Sequence, residues 1–155
     1  NPKFEKMTNG FKLIGISIRT TNQDNHAAKD IGMLWAQFFE QAILDKIPNK
    51  ISSDIYAVYT NYKSNFTEEY TVIIGVPVST LKDVPEGMFG QEFENDNFIK
   101  YIAKGKMPDA VVSTWMEIWQ NDNVINRAYS YDYEVYGAKC QDGENAEVEI
   151  FISVK

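Results

Sequence analysis

Tyr131-Asp132-Tyr133-Glu134-Val135-Tyr136 is the stretch on which the reading of this chain turns. Successive side chains on a β-strand point to opposite faces. Tyr131, Tyr133 and Val135 therefore share one side, and Asp132, Glu134 and Tyr136 the other. The last four of these residues echo Tyr56-Ala57-Val58-Tyr59, 77 positions earlier (133 − 56). Leu34-Trp35 is answered by Thr114-Trp115 at a separation of 80 (115 − 35). Ile74-Gly75-Val76-Pro77-Val78 is answered by Ile150-Phe151-Ile152-Ser153-Val154 at 76 (150 − 74). Three matches in one order at nearly constant spacing indicate an internal duplication, with pseudo-repeats at approximately 11–79 and 97–155.

Working outward, each repeat reads β-α-β-β. Phe11 to Thr20 alternates, with Phe11, Leu13, Gly15, Ser17 and Arg19 opposite Ile14, Ile16 and Ile18, which predicts a strand. Polar residues 20–25 and His26 read as a loop. Ile31, Leu34, Trp35, Phe38, Phe39, Ala42 and Ile43 then recur at helical spacing, predicting a helix of about 20 residues that ends before Pro48. Ile55 to Tyr62 and Tyr70 to Val78 read as strands. Pro85-Glu86-Gly87 and Gly90 mark a connector. In the second repeat Phe98 to Ile102 is strand-like, and a helix starts at Pro108 and carries Val111, Val112, Trp115, Ile118 and Trp119. Strands follow at Tyr129 to Cys140 and Val148 to Val154. The expected fold is α+β: one domain over residues 1–155, its two units sharing an antiparallel sheet with two helices on one face and a central ligand cleft.

Composition removes several classes of function. The 15 Lys and Arg are scattered through a chain of net charge −7, so no clustered cations exist to displace counterions, and direct nucleic-acid binding is not expected. No apolar run approaches membrane-spanning length, and no basic-then-apolar export signal opens the sequence. The sequence starts at Asn1 rather than methionine, which leaves room for an upstream segment. The lone cysteine, Cys140, cannot form an internal disulfide and fits a reducing cytoplasm, with a buried thiol as its plain role. One histidine, His26, is too few for a structural zinc site, and no nucleophile-elbow motif accompanies it. The sequon Asn65-Phe66-Thr67 reads as chance, and no cofactor or metal is expected.

The ordered set Leu34-Trp35, Ile47-Pro48-Asn49, Tyr56-Ala57-Val58-Tyr59, Tyr70 to Gly75, Pro85-Glu86-Gly87-Met88, Thr114-Trp115 with Ile118, Tyr133-Glu134-Val135-Tyr136 and Glu149 to Val154 covers nearly the whole chain. It resembles the GyrI-like effector-binding domain, which occurs at the C-terminus of AraC- and MerR-type regulators and as a free-standing protein. The resemblance implies paired β-α-β-β units around a cleft. In multidrug-responsive members, a glutamate on the penultimate strand sits among aromatics and pairs with cationic drugs; Glu134 matches it. Tyr56, Trp115 and Tyr136, together with Tyr59 and Trp119, match the family's pocket aromatics.

Taken alone, the alternation leaves Asp132 and Glu134 as exposed residues of a half-solvated sheet; the resemblance moves Glu134 into a pocket and leaves Asp132 facing water. Trp35, Phe38 and Phe39 read as core. Trp115 and Trp119 fit either core or cleft. The implied function is binding of amphipathic organic cations, for drug sensing or sequestration, since rings attract cations through their quadrupoles and a carboxylate adds charge. Two alternatives follow from relatives. One is a gyrase-inhibitor-like protein-interaction module, for which no patch is identifiable here. The other is hydrolysis of strained cyclopropane-type genotoxins with a glutamate as base. For the latter no second carboxylate faces Glu134, because Glu117 falls on the polar side of its helix. Natural ligand and oligomeric state are not legible in the sequence.

Overall fold

The computed structural model describes residues 3–8 and 10–155, with the backbone alone at 3–8 and at Asn123. Eight strands, β1 (Lys3–Thr8), β2 (Phe11–Thr21), β3 (Ile55–Thr60), β4 (Glu69–Val78), β5 (Phe89–Phe93), β6 (Asp96–Lys104), β7 (Tyr131–Tyr136) and β8 (Glu147–Ser153), form one sheet. Its order is β1-β6-β8-β7-β3-β4-β2-β5, with antiparallel neighbours throughout. Helices α1 (His26–Glu40) and α3 (Asp109–Gln120) are the main helices, followed by short α2 (Ile43–Lys46) and α4 (Asp122–Ile125).

The order reads the same way from both ends: β6-β8-β7 mirrors β2-β4-β3, and the halves join through β7 and β3. The flanking strands, which the sequence reading did not include, cross over. β1 precedes β2 in the chain but pairs with β6, and β5 precedes β6 but pairs with β2. The connector expected around Gly90 is in fact β5. The 20-residue helix is also shorter than expected: Ala42 takes φ 49°, ending α1 and redirecting the chain so that Ile43 and Ile47 are buried. His26 is the first residue of α1 rather than part of the preceding loop.

The crossover forces the sheet to bend. Only Glu94 and Asn95 separate β5 from β6, so Phe93 and Asp96 are at most about 11 Å apart. In a flat sheet these two strands, six places apart in order, would be separated by about 29 Å. The sheet instead curls around one face, and rings from non-neighbouring strands meet there. Phe93 lies 4.9 Å from Tyr131, and Phe11 lies 5.1 Å from Tyr133. Leu13, Val58, Ile73 and Phe98 complete this core without a helix over it. The Tyr131 hydroxyl donates to the Glu94 carbonyl (2.5 Å), and Asn95 Oδ1 accepts from Gly10 N (2.6 Å), fastening the β5–β6 link across the end.

The opposite face carries the helices. Leu34 and Phe38 of α1 pack with Ile14, Ala57, Val72 and Ile74, while Ile118 of α3 packs with Tyr101, Val148, Ile150 and Ile152. Among the described residues, Tyr136 is the one that packs against both clusters.

Gly15 and Gly75 are partners in the β2–β4 pair, and the strands approach too closely there for any side chain. A Cβ at Gly15 would lie 2.0 Å from the Ile74 carbonyl oxygen, and one at Gly75 would lie 2.2 Å from that of Ile14. Gly15→Ala or Gly75→Ala is expected to lower the unfolding free energy by about 2 kcal/mol or more, because backbone must shift. Urea denaturation of each variant measures this; a change below about 0.5 kcal/mol would remove the close approach from the account.

Candidate ligand-binding site

The site grows from the register of β3 against β7. Every Cα partner pair there sums to 191 in residue number, as in Ile55 with Tyr136 or Tyr56 with Val135. Repeat-equivalent residues in these strands differ by 77. Only Ala57 and Glu134 meet both conditions (57 + 134 = 191, 134 − 57 = 77), so they face each other on the axis relating the halves. One axial position holds a methyl group, and the other a carboxylate. The smallness of Ala57, itself fully buried, leaves room for the longer side chain.

Glu134 is 1% exposed, under the two helices. Its Oε2 accepts from Tyr59 Oη (3.0 Å) and Trp115 Nε1 (2.5 Å), and its Oε1 accepts from Tyr136 Oη (2.7 Å). Tyr59 and Tyr136 are repeat equivalents, and so are Trp35 and Trp115. Each tryptophan packs edge-on against a tyrosine of the other half: Trp115 on Tyr59 (5.3 Å, 68°), and Trp35 on Tyr136 (4.9 Å, 75°). Two tyrosines and two tryptophans thus form a four-ring box around one carboxylate. Behind Trp115 stands Trp119, stacked on Phe66 (5.7 Å, 11°); behind Trp35 stands Phe39, stacked on it (5.8 Å, 20°).

Burial penalises the charged form of Glu134 and raises its pKa above the ordinary 4.5, although hydrogen bonds from Tyr136, Trp115 and Tyr59 pull the other way. Burial, then the nearby charge of Glu134, pushes the Tyr59 and Tyr136 hydroxyls well above their usual range, which keeps both as donors. Among the described residues no opposite charge offsets the carboxylate. Neutral donors supply about 1.5–3 kcal/mol each, against a desolvation cost of several kcal/mol. The box therefore holds a carboxyl group that, when ionised, has no counter-ion among the described residues.

Of the residues expected at the site, Glu134, Tyr136, Tyr59 and Trp115 come together, and Trp119 stands one ring behind. Tyr56 does not join them. It lies on the other face, stacked on Tyr133 (5.5 Å, 15°) and edge-on to Phe11 (5.0 Å, 83°). The reason is parity: Tyr56 and Tyr59 are three positions apart along one strand, so they must face opposite ways. Trp35, read as core, belongs to the box, and its equivalence to Trp115 was the available signal. Tyr70, which contacts Tyr59 at 6.0 Å and Tyr62 at 5.6 Å, extends the aromatic wall.

Asp132 was expected to face water and is fully buried. Its Oδ2 accepts from Arg127 Nη2 (2.8 Å) and Tyr62 Oη (2.5 Å), and its Oδ1 from Ser153 N (2.8 Å) and Oγ (3.2 Å). Arg127, itself 4% exposed, lies over the Tyr129 ring at 4.2 Å. Burial works most strongly against its charge, but Asp132, joined by Tyr62 and Tyr129, outweighs this and holds the guanidinium pKa above its ordinary value. The two acids of β7 therefore differ in kind: Asp132 is neutralised within the protein, and Glu134 is not.

Two surface hollows of about 460 and 370 Å³ lie elsewhere. One runs along Phe11, Ile51 and Phe93, the other along Met107, Cys140 and Glu144. Around Glu134 the rings themselves fill the seam and leave the carboxylate 1% exposed. Among the described residues no cluster of three or more His, Cys, Asp or Glu is placed to hold a metal ion. No helix there is long and apolar enough to cross a membrane.

A curled antiparallel sheet of paired β-α-β-β units, with a carboxylate caged by rings at the joint, defines a GyrI-like effector-binding domain. The chain belongs to the Cass2 family of integron-associated effector binding proteins, whose profile matches residues 6–154. It is similar to an integron cassette protein from the mobile metagenome of Vibrio cholerae, 31% identical over 100% of this chain and 99% of that one, with a TM-score of 0.76. YobU of Bacillus subtilis (strain 168), provisionally named a transcriptional regulator, is 26% identical over 150 residues, 93% of this chain and 92% of that protein. SAV2435, solved bound to tetraphenylphosphonium, shares the fold at a TM-score of 0.81 and 16% identity, over 100% of this chain and 94% of that one. The family places this chain among effector-binding proteins.

Two stability measurements separate the acids. Asp132→Asn is expected to cost about 3–5 kcal/mol, because it removes the 2.8 Å charge partner of buried Arg127 and leaves that guanidinium with its longer, 3.4 Å contact to part-exposed Asp122; a loss under 1 kcal/mol in denaturant would remove the ion pair from the core account. Glu134 behaves oppositely. Its folded-state pKa lies above the unfolded value, so its favourable contribution is complete below about pH 4.5 and is lost as pH rises through the folded pKa. Unfolding of wild type and Glu134→Gln at pH 4 and pH 8 should show wild type losing ground to the variant at the higher pH. A constant difference would mean that the carboxylate is not desolvated.

Proposed function

We propose that this protein binds amphipathic organic cations between its two helices and serves in their sensing or sequestration. The observation carrying this is Glu134, a buried carboxylate held by three neutral donors inside four aromatic rings, with no cation beside it among the described residues. A lipophilic cation brings the missing charge together with apolar area to cover the rings. Each ring face adds about 0.5–2 kcal/mol of cation–π attraction. Flat rings make few directional demands, which suits a range of ligands. The tetraphenylphosphonium bound by SAV2435, a protein of the same fold, is a cation of this class.

Binding without catalysis is the reading favoured by the surrounding acids. A hydrolytic mechanism built on Glu134 calls for a second acid or a held nucleophile facing it. Asp132 is occupied by Arg127, Tyr62 and Ser153, and Glu117 is exposed on α3.

Titration of a panel of cationic, neutral and anionic aromatic dyes, followed by tryptophan fluorescence, tests the proposal. Cations should bind wild type, and Glu134→Gln should weaken them at least tenfold while leaving neutral dyes alone. Equal binding of neutral dyes to both proteins, or none of any dye, would sink the cation reading. Cation binding favours the ionised carboxylate, so below its raised pKa the ligand must expel a proton. Affinity should therefore climb with pH, by at most tenfold per pH unit, until it levels off above the raised folded pKa. A flat pH profile for a permanently charged dye would assign the binding elsewhere.

A further inference from the structure

The box is symmetric in its rings but not in its hydrogen bonding. An ionised carboxylate offers about four acceptor positions, two on each oxygen. On Glu134, Oε2 already accepts two bonds, from Tyr59 and Trp115, whereas Oε1 accepts one, from Tyr136. The open acceptor position is thus on Oε1, the side of Tyr136, and the ring packed on Tyr136 is Trp35 of α1.

The two walls also differ in how they are held. Trp115 is tied through its indole N–H to Glu134, and Trp119 behind it is stacked on Phe66. Trp35 makes no hydrogen bond among the described residues. Its outer neighbour Phe39, stacked on it, is 62% exposed, an unusual position for a large apolar ring. Unmet charge, a ring without a polar tether and an exposed aromatic therefore coincide on the α1 side.

We infer that Trp35 and Phe39, on α1, are the ligand-contacting wall of this site, and that the ligand is a lipophilic monocation. Its charged centre meets Oε1 of Glu134 beside Tyr136, and its apolar part lies against Trp35 and Phe39. A single charge suits the axis, where the position equivalent to Glu134 is Ala57 and supplies no second carboxylate. Trp115 and Tyr59, by contrast, act as positioning residues that hold the carboxylate's other oxygen. The inference rests on the proposed cation binding and adds where the cation sits and which residues select it.

Isothermal titration of tetraphenylphosphonium and of ethidium into four proteins tests it: wild type, Trp35→Leu, Phe39→Ala, and an α3 control in which the exposed pair Val112 and Met116 is replaced by alanine. Trp35→Leu should raise Kd tenfold or more and Phe39→Ala about three- to tenfold, with the control within twofold of wild type. Phe39 is exposed, so its variant folds even if Trp35→Leu does not, and it alone can decide. Binding that needs Glu134 but is unchanged in Phe39→Ala, or that falls in the α3 control instead, overturns the α1 placement while leaving cation binding standing. Absence of binding to wild type removes both.

Discussion

Removing one carboxylate from water without supplying a counter-ion is the constraint that the rest of this structure accommodates. Glu134 sits on the axis of a duplicated sheet, where the two halves join through β3 and β7. Everything near it answers the cost of desolvation: donors from both central strands and from α3, rings on both sides, and a methyl group opposite so that the side chain fits. None of these supplies charge. A fold that only needed stability would gain by replacing this acid with an apolar residue, because buried ionised groups seldom offset their desolvation. Retaining it makes sense for a site that is completed by something else.

Asp132, two residues away on the same face, shows what a buried acid looks like when the protein completes it. Arg127, Tyr62 and Ser153 fill its acceptor positions, and the guanidinium matches its charge. The contrast within one six-residue strand separates an acid that the protein pairs from the acid of the proposed site more clearly than burial does, since both are almost wholly excluded from solvent. The curl draws the aromatic core of one face together, while the helices cover the other face, which carries both acids, and that cover is what removes them from water.

Much of the architecture was legible because it follows from local periodicity and repetition. Alternation assigned the faces of β7 correctly, and the spacing of three repeated motifs indicated the paired units. The misses came from elsewhere. β1 and β5 are short and pair across the halves, so no local pattern announces them. Tyr56 was joined to Tyr59 by family likeness although strand parity separates them. Asp132 was assigned to solvent because Arg127, which neutralises it, lies in an irregular stretch whose course is set by packing.

The sequence by itself determined the periodicities, the duplication and the presence of one acid amid aromatics, because these are properties of neighbouring residues and of recurrence along the chain. Only the tertiary structure decided which residues share the box. Side chains on β3, β7, α1 and α3 meet through a register between strands 77 residues apart and a sheet curl imposed by a two-residue link. Contact across such separations depends on how the halves dock, and no local pattern records that.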